Sequence, residues 1–160
     1  MLRRLVYNVS TQKYPFNFSA QMYGQYRAYC ERHVAEHVLP ALRGSARGEA
    51  LLREMLSRWD RHAAAVRWLS RFFNYLDKYY VVRYTKTPLK DLGVRCFSDG
   101  VRGEPGLQRA LVDAAAELHG GEQADAELAK RVNEVLEQLG LSTTTAAAQH
   151  EAQPAAAAAE

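Results

Sequence analysis

The residues whose types and spacing come nearest to chemistry are His33, Glu36 and His37, in the run His33-Val34-Ala35-Glu36-His37. Two histidines four positions apart share one face of a helix. With a glutamate beside them they fit the H-x-x-E-H pattern, in which both imidazoles bind one Zn²⁺ and the carboxylate activates a water. A third ligand has to come from elsewhere, and Glu104 and Glu117 lie at a plausible distance downstream. Against a zinc hydrolase stands the setting. The run falls inside an ordinary amphipathic helical pattern, where both imidazoles can face water, and so few fixed positions are an undemanding match. The sequence favours a solvated helix face, with no metal and no other cofactor.

Other chemistries have less support. Cys30 and Cys96 each occupy an apolar-stripe position, which reads as two buried thiols and an intracellular protein, not a disulfide framework. No glycine-rich phosphate loop occurs: Gly103-Glu104-Pro105-Gly106 reads as a turn and Gly120-Gly121 as a helix stop. The pair Arg3-Arg4 fits a solvated terminus. Lys and Arg number 21 against 18 Asp and Glu, a balance that gives no argument for a nucleic-acid partner. No apolar run approaches the ~20 residues of a membrane span, and the N-terminus lacks the apolar core of a signal peptide. The residues therefore point away from an enzyme.

The stretch Arg67 to Tyr84, RWLSRFFNYLDKYYVVRY, points toward recognition instead. At 3.6 residues per turn, Leu69, Phe72, Phe73, Leu76 and Tyr80 form an apolar stripe. Trp68, Arg71, Tyr75, Lys78 and Val82 run along another side. Tyr, Trp and Arg are enriched at interface hot spots, so this second side is either a protein-binding face or a face covered by neighbouring helices.

The elements that must position this stretch are all helical, and no segment reads as a strand. Residues 1–12 carry Leu2, Leu5, Val6 and Val9 at helical spacing, without a polar cap before them. Ser19 is placed as the N-cap of a helix running to about Arg43, with Pro40 kinking its end. A helix from about Glu49 to Arg61 is expected to bend before the aromatic helix, about Ala63 to Arg83, which Thr85-Lys86-Thr87-Pro88 breaks. Leu89 to Val101 follows, weakened by Gly93 and Gly100. Leu107 to Leu118 forms another helix. A last one is capped by Asp125 and closed by Gly140. Residues 1–141 read as one domain of about five to seven helices, and 142–160 as a disordered Ala-rich tail.

The order of these features resembles the N-terminal domain of cullins, the scaffolds of multisubunit ubiquitin ligases. Matching blocks are Val6 to Asn8, Thr11 to Lys13, Val38 to Arg43 (VLPALR), Leu51 to Trp59 (LLREMLSRW), Val66 to Arg83, Leu92 to Asp99 (LGVRCFSD), Gly121 to Gln123 and Leu139 to Leu141. VRWLSRFFNYLDKYY is most similar to the plant and algal cullin-1 type. The resemblance implies a helical cullin repeat whose second and fifth helices bind a Skp-family adaptor carrying an F-box subunit. Carried over by position, the adaptor-binding residues are Leu2, Arg3, Val6 and Tyr7 on the second helix and Arg71, Phe72, Tyr75 and Lys78 on the fifth. Arg3 and Arg4 depart from the aromatic and Thr usual in the family there. The resemblance also implies that the first helix, the later repeats and the region for the RING partner are not in this chain, so no RING partner is expected. It places the protein in cytoplasm and nucleus, in ubiquitin-dependent proteolysis, as a scaffold module or a competitor or non-functional fragment.

Overall fold

The computed structural model describes residues 2–12, 17–120 and 125–141. The Ala-rich stretch 142–160 and Gly121 to Gln123 lie outside the described residues. Every element is helical, and no strand occurs among the described residues: α1 Leu2–Thr11, α2 Ser19–His33, α3 Leu39–Gly44, α4 Glu49–Phe72, α5 Asn74–Leu76, α6 Leu89–Arg102, α7 Pro105–Gly120 and α8 Ala126–Gln138. Two π-helical turns, Val34–Val38 and Asp77–Val81, join α2 to α3 and extend α5.

Most of the periodic reading holds, and the departures have local causes. Ser19 is not the cap of α2: it is the first helical residue, and its N–H donates to the Asn17 side chain at 3.0 Å. Pro40 does not break the second helix, since Leu39 keeps helical dihedrals of −60° and −44°. Instead the backbone widens just before it, and the Leu39 N–H reaches back to the Val34 carbonyl. A π-turn absorbs the proline at the cost of local register.

The bend expected near Arg61 is absent. Nothing there disfavours helix, as Ala63, Ala64 and Ala65 are strong helix formers, and α4 runs unbroken from Glu49 to Phe72. The break falls at Phe73 (φ −90°, ψ 20°). There Phe72 and Phe73 stand edge to face at 4.9 Å, while Phe73 also turns its ring toward Tyr26 of α2 at 6.3 Å. The aromatic stretch ends as expected, in a turn where Thr85 takes a left-handed φ of 49°.

Two apolar clusters hold the bundle together. The larger gathers Leu52 and Met55 of α4, Phe97 of α6, Leu111 of α7 and Val132 of α8 around Val34, Val38 and Leu42. The smaller, where α2 meets the aromatic segment and the start of α6, holds Tyr26, Cys30, Leu76, Leu89, Leu92 and Cys96. Gly93 and Gly100, expected only to weaken α6, let it approach closely. A Cβ on Gly93 would stand 2.5 Å from Val66 Cγ2, and one on Gly100 would stand 2.5 Å from Val34 Cγ1. α8 begins and ends as its sequence dictates. Asp125 accepts the Leu128 N–H at 3.3 Å, and Gly140 at φ +61° closes a Schellman turn with Leu141 N–H on Leu136 O at 2.8 Å.

Candidate protein-interaction face

The face is built where α1 lies against the segment after Phe73. Among the described side chains of α1, Val6 is buried, at 4% exposure, while Leu5 and Tyr7 are open at 60% and 41%. Val6 thus seats the helix, and Tyr7 leans out to meet the aromatic segment. Its ring stands edge-on to Tyr75 at 5.0 Å and to Tyr79 at 6.3 Å, and Tyr75 and Tyr79 stack at 6.1 Å with a 6° interplanar angle. Such geometries follow the ring quadrupole and add to the area the rings bury.

Beside this triad lies a cleft of about 350 Å³ lined by Arg4, Tyr7, Arg71, Phe72, Asn74 and Tyr75. Four of the eight sequence-predicted residues, Tyr7, Arg71, Phe72 and Tyr75, therefore converge on one concavity. The side chains of Leu2 and Arg3 lie outside the described residues, although both belong to the α1 backbone. Lys78 is exposed but does not line the cleft: its ammonium sits 5.7 Å from the Tyr79 ring centroid. Arg71 extends the surface on the other side, over the indole of Trp68 at 5.8 Å. Trp68 is 65% exposed and Val82 75%. Arg4, Asn74 and Tyr79 are further residues of this face that sequence reasoning missed. Tyr79 lies four residues after Tyr75, a helical neighbour spacing that was there to be read.

The histidine run is arranged differently from a metal site. The rings of His33 and His37 stack at 5.1 Å and 19°, and His33 also stacks on His62 at 6.0 Å and 15°. Ring nitrogens lie in the ring plane, so stacked imidazoles do not aim their lone pairs at a common point. Glu104, a candidate third ligand, is paired with Arg43. No group of three His, Cys, Asp or Glu side chains converges among the described residues.

The family model for the cullin alpha solenoid domain matches residues 1–153. The chain belongs to the cullin family. It is 39% identical over 145 residues to Cullin-1 of Oryza sativa subsp. japonica, an alignment covering 89% of this chain and 19% of that protein. Cullin-2 of Arabidopsis thaliana is 40% identical over 134 residues, 81% of this chain and 18% of that cullin. Cullin-like protein 3 of Arabidopsis thaliana is 33% identical over 147 residues, 89% of this chain and 55% of that protein. The chain thus spans about a fifth of the longer cullins it matches and about half of this shorter one. No solved structure matches it. The all-helical cullin repeat implied by the resemblance agrees with the all-helical architecture of the described residues.

Proposed function

We propose that this cullin-family chain is a non-catalytic scaffold module of ubiquitin-ligase assembly, and that the face made by α1 and the aromatic segment docks a Skp-family adaptor carrying an F-box subunit. The observation that supports this most directly is the Tyr7–Tyr75–Tyr79 cluster beside the open cleft, because it unites the two helices that the family resemblance assigns to the adaptor. Tyr rings offer large contact area at little conformational cost, with a hydroxyl for a polar partner. Arg71 and Lys78 stand ready for acidic side chains, which favours encounter and register more than raw affinity. The wide exposure of Trp68 beside Arg71 supplies apolar surface at the edge of the same face. A docking role of this kind belongs inside the cell, in cytoplasm and nucleus, and two free cysteines suit a reducing compartment.

The test is binding of the purified chain to a purified Skp-family adaptor bearing an F-box subunit, followed by calorimetry. Tyr75→Ala is expected to weaken that binding by about 2 kcal/mol, the scale of an interface hot spot. Circular dichroism checks that the variant keeps its helices. Failure of the parent chain to bind would sink the reading.

A further inference from the structure

Cys30 of α2 and Cys96 of α6 meet within the smaller core cluster, both as free thiols. They are 2% and 6% exposed, and they sit in one core cluster where α2 packs directly on α6. On its own this would be an inert buried pair. Cys96, however, also lines a surface cleft of about 350 Å³ that it shares with Arg27, Lys86, Arg95 and Asp99. Cys96 is therefore the member of the pair nearer solvent, at a cleft lined by both basic and acidic side chains, and Cys30 is the more deeply buried.

We propose that Cys30 and Cys96 are a peroxide-sensitive thiol pair that closes into an intramolecular disulfide joining α2 to α6. In the first step the Cys96 sulfur attacks one oxygen of hydrogen peroxide. The O–O bond breaks, the departing hydroxide takes the thiol proton as water, and Cys96 becomes a sulfenic acid. In the second step the Cys30 sulfur attacks the Cys96 sulfur. The S–S bond forms, the S–O bond breaks, and hydroxide leaves with the Cys30 proton as a second water. Two thiols are oxidised by two electrons, and one peroxide is reduced to two waters. The neighbouring Cys96 thiol holds the Cys30 thiol below the usual range, which suits it to the second attack, whereas the same pairing and burial push Cys96 up. The first step is then slow and the second fast, so the disulfide, not the sulfenic acid, accumulates. Closure brings the two sulfurs to about 2.05 Å.

The experiment exposes the full chain to hydrogen peroxide, blocks remaining thiols with iodoacetamide and maps peptides by mass. A linked pair of peptides containing Cys30 and Cys96 is expected, lighter than the two reduced peptides by about 2 Da and separated again by dithiothreitol. In Cys30→Ala the resolving sulfur is gone, so dimedone should trap a sulfenic acid on Cys96. Three results would overturn the proposal: both thiols remaining free to alkylate, sulfinic or sulfonic products without a link, or cross-links only between chains. Peptide mapping of the parent chain decides the matter even if the variant does not fold.

Discussion

Asp77 shows how one side chain ties the aromatic segment to the rest of the bundle. Its Oδ1 accepts the Leu89 N–H at 3.0 Å, one of the donors that the first turn of α6 leaves without a helical partner. Burial pushes the Asp77 carboxyl up, so the site tolerates a neutral acceptor. Asp77→Ala is expected to lower stability in urea unfolding by about 1 kcal/mol, with Asp77→Asn recovering most of it. Equal loss in the two variants would show that charge, not acceptance of this hydrogen bond, matters. This contact was not legible in the sequence, where Asp77 is one charge among several on a helix. Arg71 and Tyr75 were legible because the break at Phe73 between them still leaves both on the same cleft. Lys78 was placed on the same face by an unbroken 3.6-residue period. The π-turn from Asp77 onward changes that period: Val81, outside the expected stripe, is buried at 4%, while Tyr80 packs against the smaller cluster as expected and Lys78 lies beside the Tyr79 ring.

At the scale of elements, the close approach of α6 to its neighbours depends on what its glycines lack. Gly100 faces Val34 on the π-turn, and an added Cβ would need Val34 to move. Gly100→Ala would gain helix propensity of about 1 kcal/mol if it stood alone. Overpacking typically costs about 1–3 kcal/mol, so the variant is expected to be less stable on balance. Val34→Ala opens the space, and the double variant should be more stable than the sum of the single effects predicts; a double-mutant cycle on urea midpoints measures that coupling. Additivity would show that the two residues do not compete for space. Periodicity found the helices, the stop at Pro88 and the caps of α8, since these are local. It missed the continuity of α4 through Arg61, which the helix-forming Ala63, Ala64 and Ala65 allow, and the break at Phe73, where the rings of Phe72 and Phe73 pack in different directions. It also read Gly93 and Gly100 as weak points, a reading that only the packing of α6 against Val66 and Val34 reverses.

At the scale of the whole molecule, the all-helical class was carried by periodicity along the chain and the family by blocks in order, which survive local misreadings. The same blocks gave no hint that His62 would sit at the meeting point of three elements. It is buried at 2%, its Nε2 lies 2.8 Å from the Gly93 carbonyl of α6, and its ring stacks on His33 of α2 and packs 5.3 Å from Phe97. A carbonyl only accepts, so Nε2 carries the proton of the neutral ring. Burial holds His62 below its ordinary value; the Gly93 carbonyl opposes this and the nearby His33 adds to it. His33 shifts the same way, through burial first and then through His37 and Arg58. Both groups bind protons more readily in the unfolded chain than in the fold. Their stabilising contribution is therefore complete above the ordinary histidine range and is lost as pH falls through it toward the depressed folded values. Thermal unfolding is expected to show a loss on the order of 1 kcal/mol between about pH 7 and about pH 5.5. His62→Gln should flatten most of that dependence while lowering stability at neutral pH, because the ring packing is lost. A parent chain equally stable across this interval would mean that water reaches His62 and that the three elements are not joined as tightly as its burial indicates.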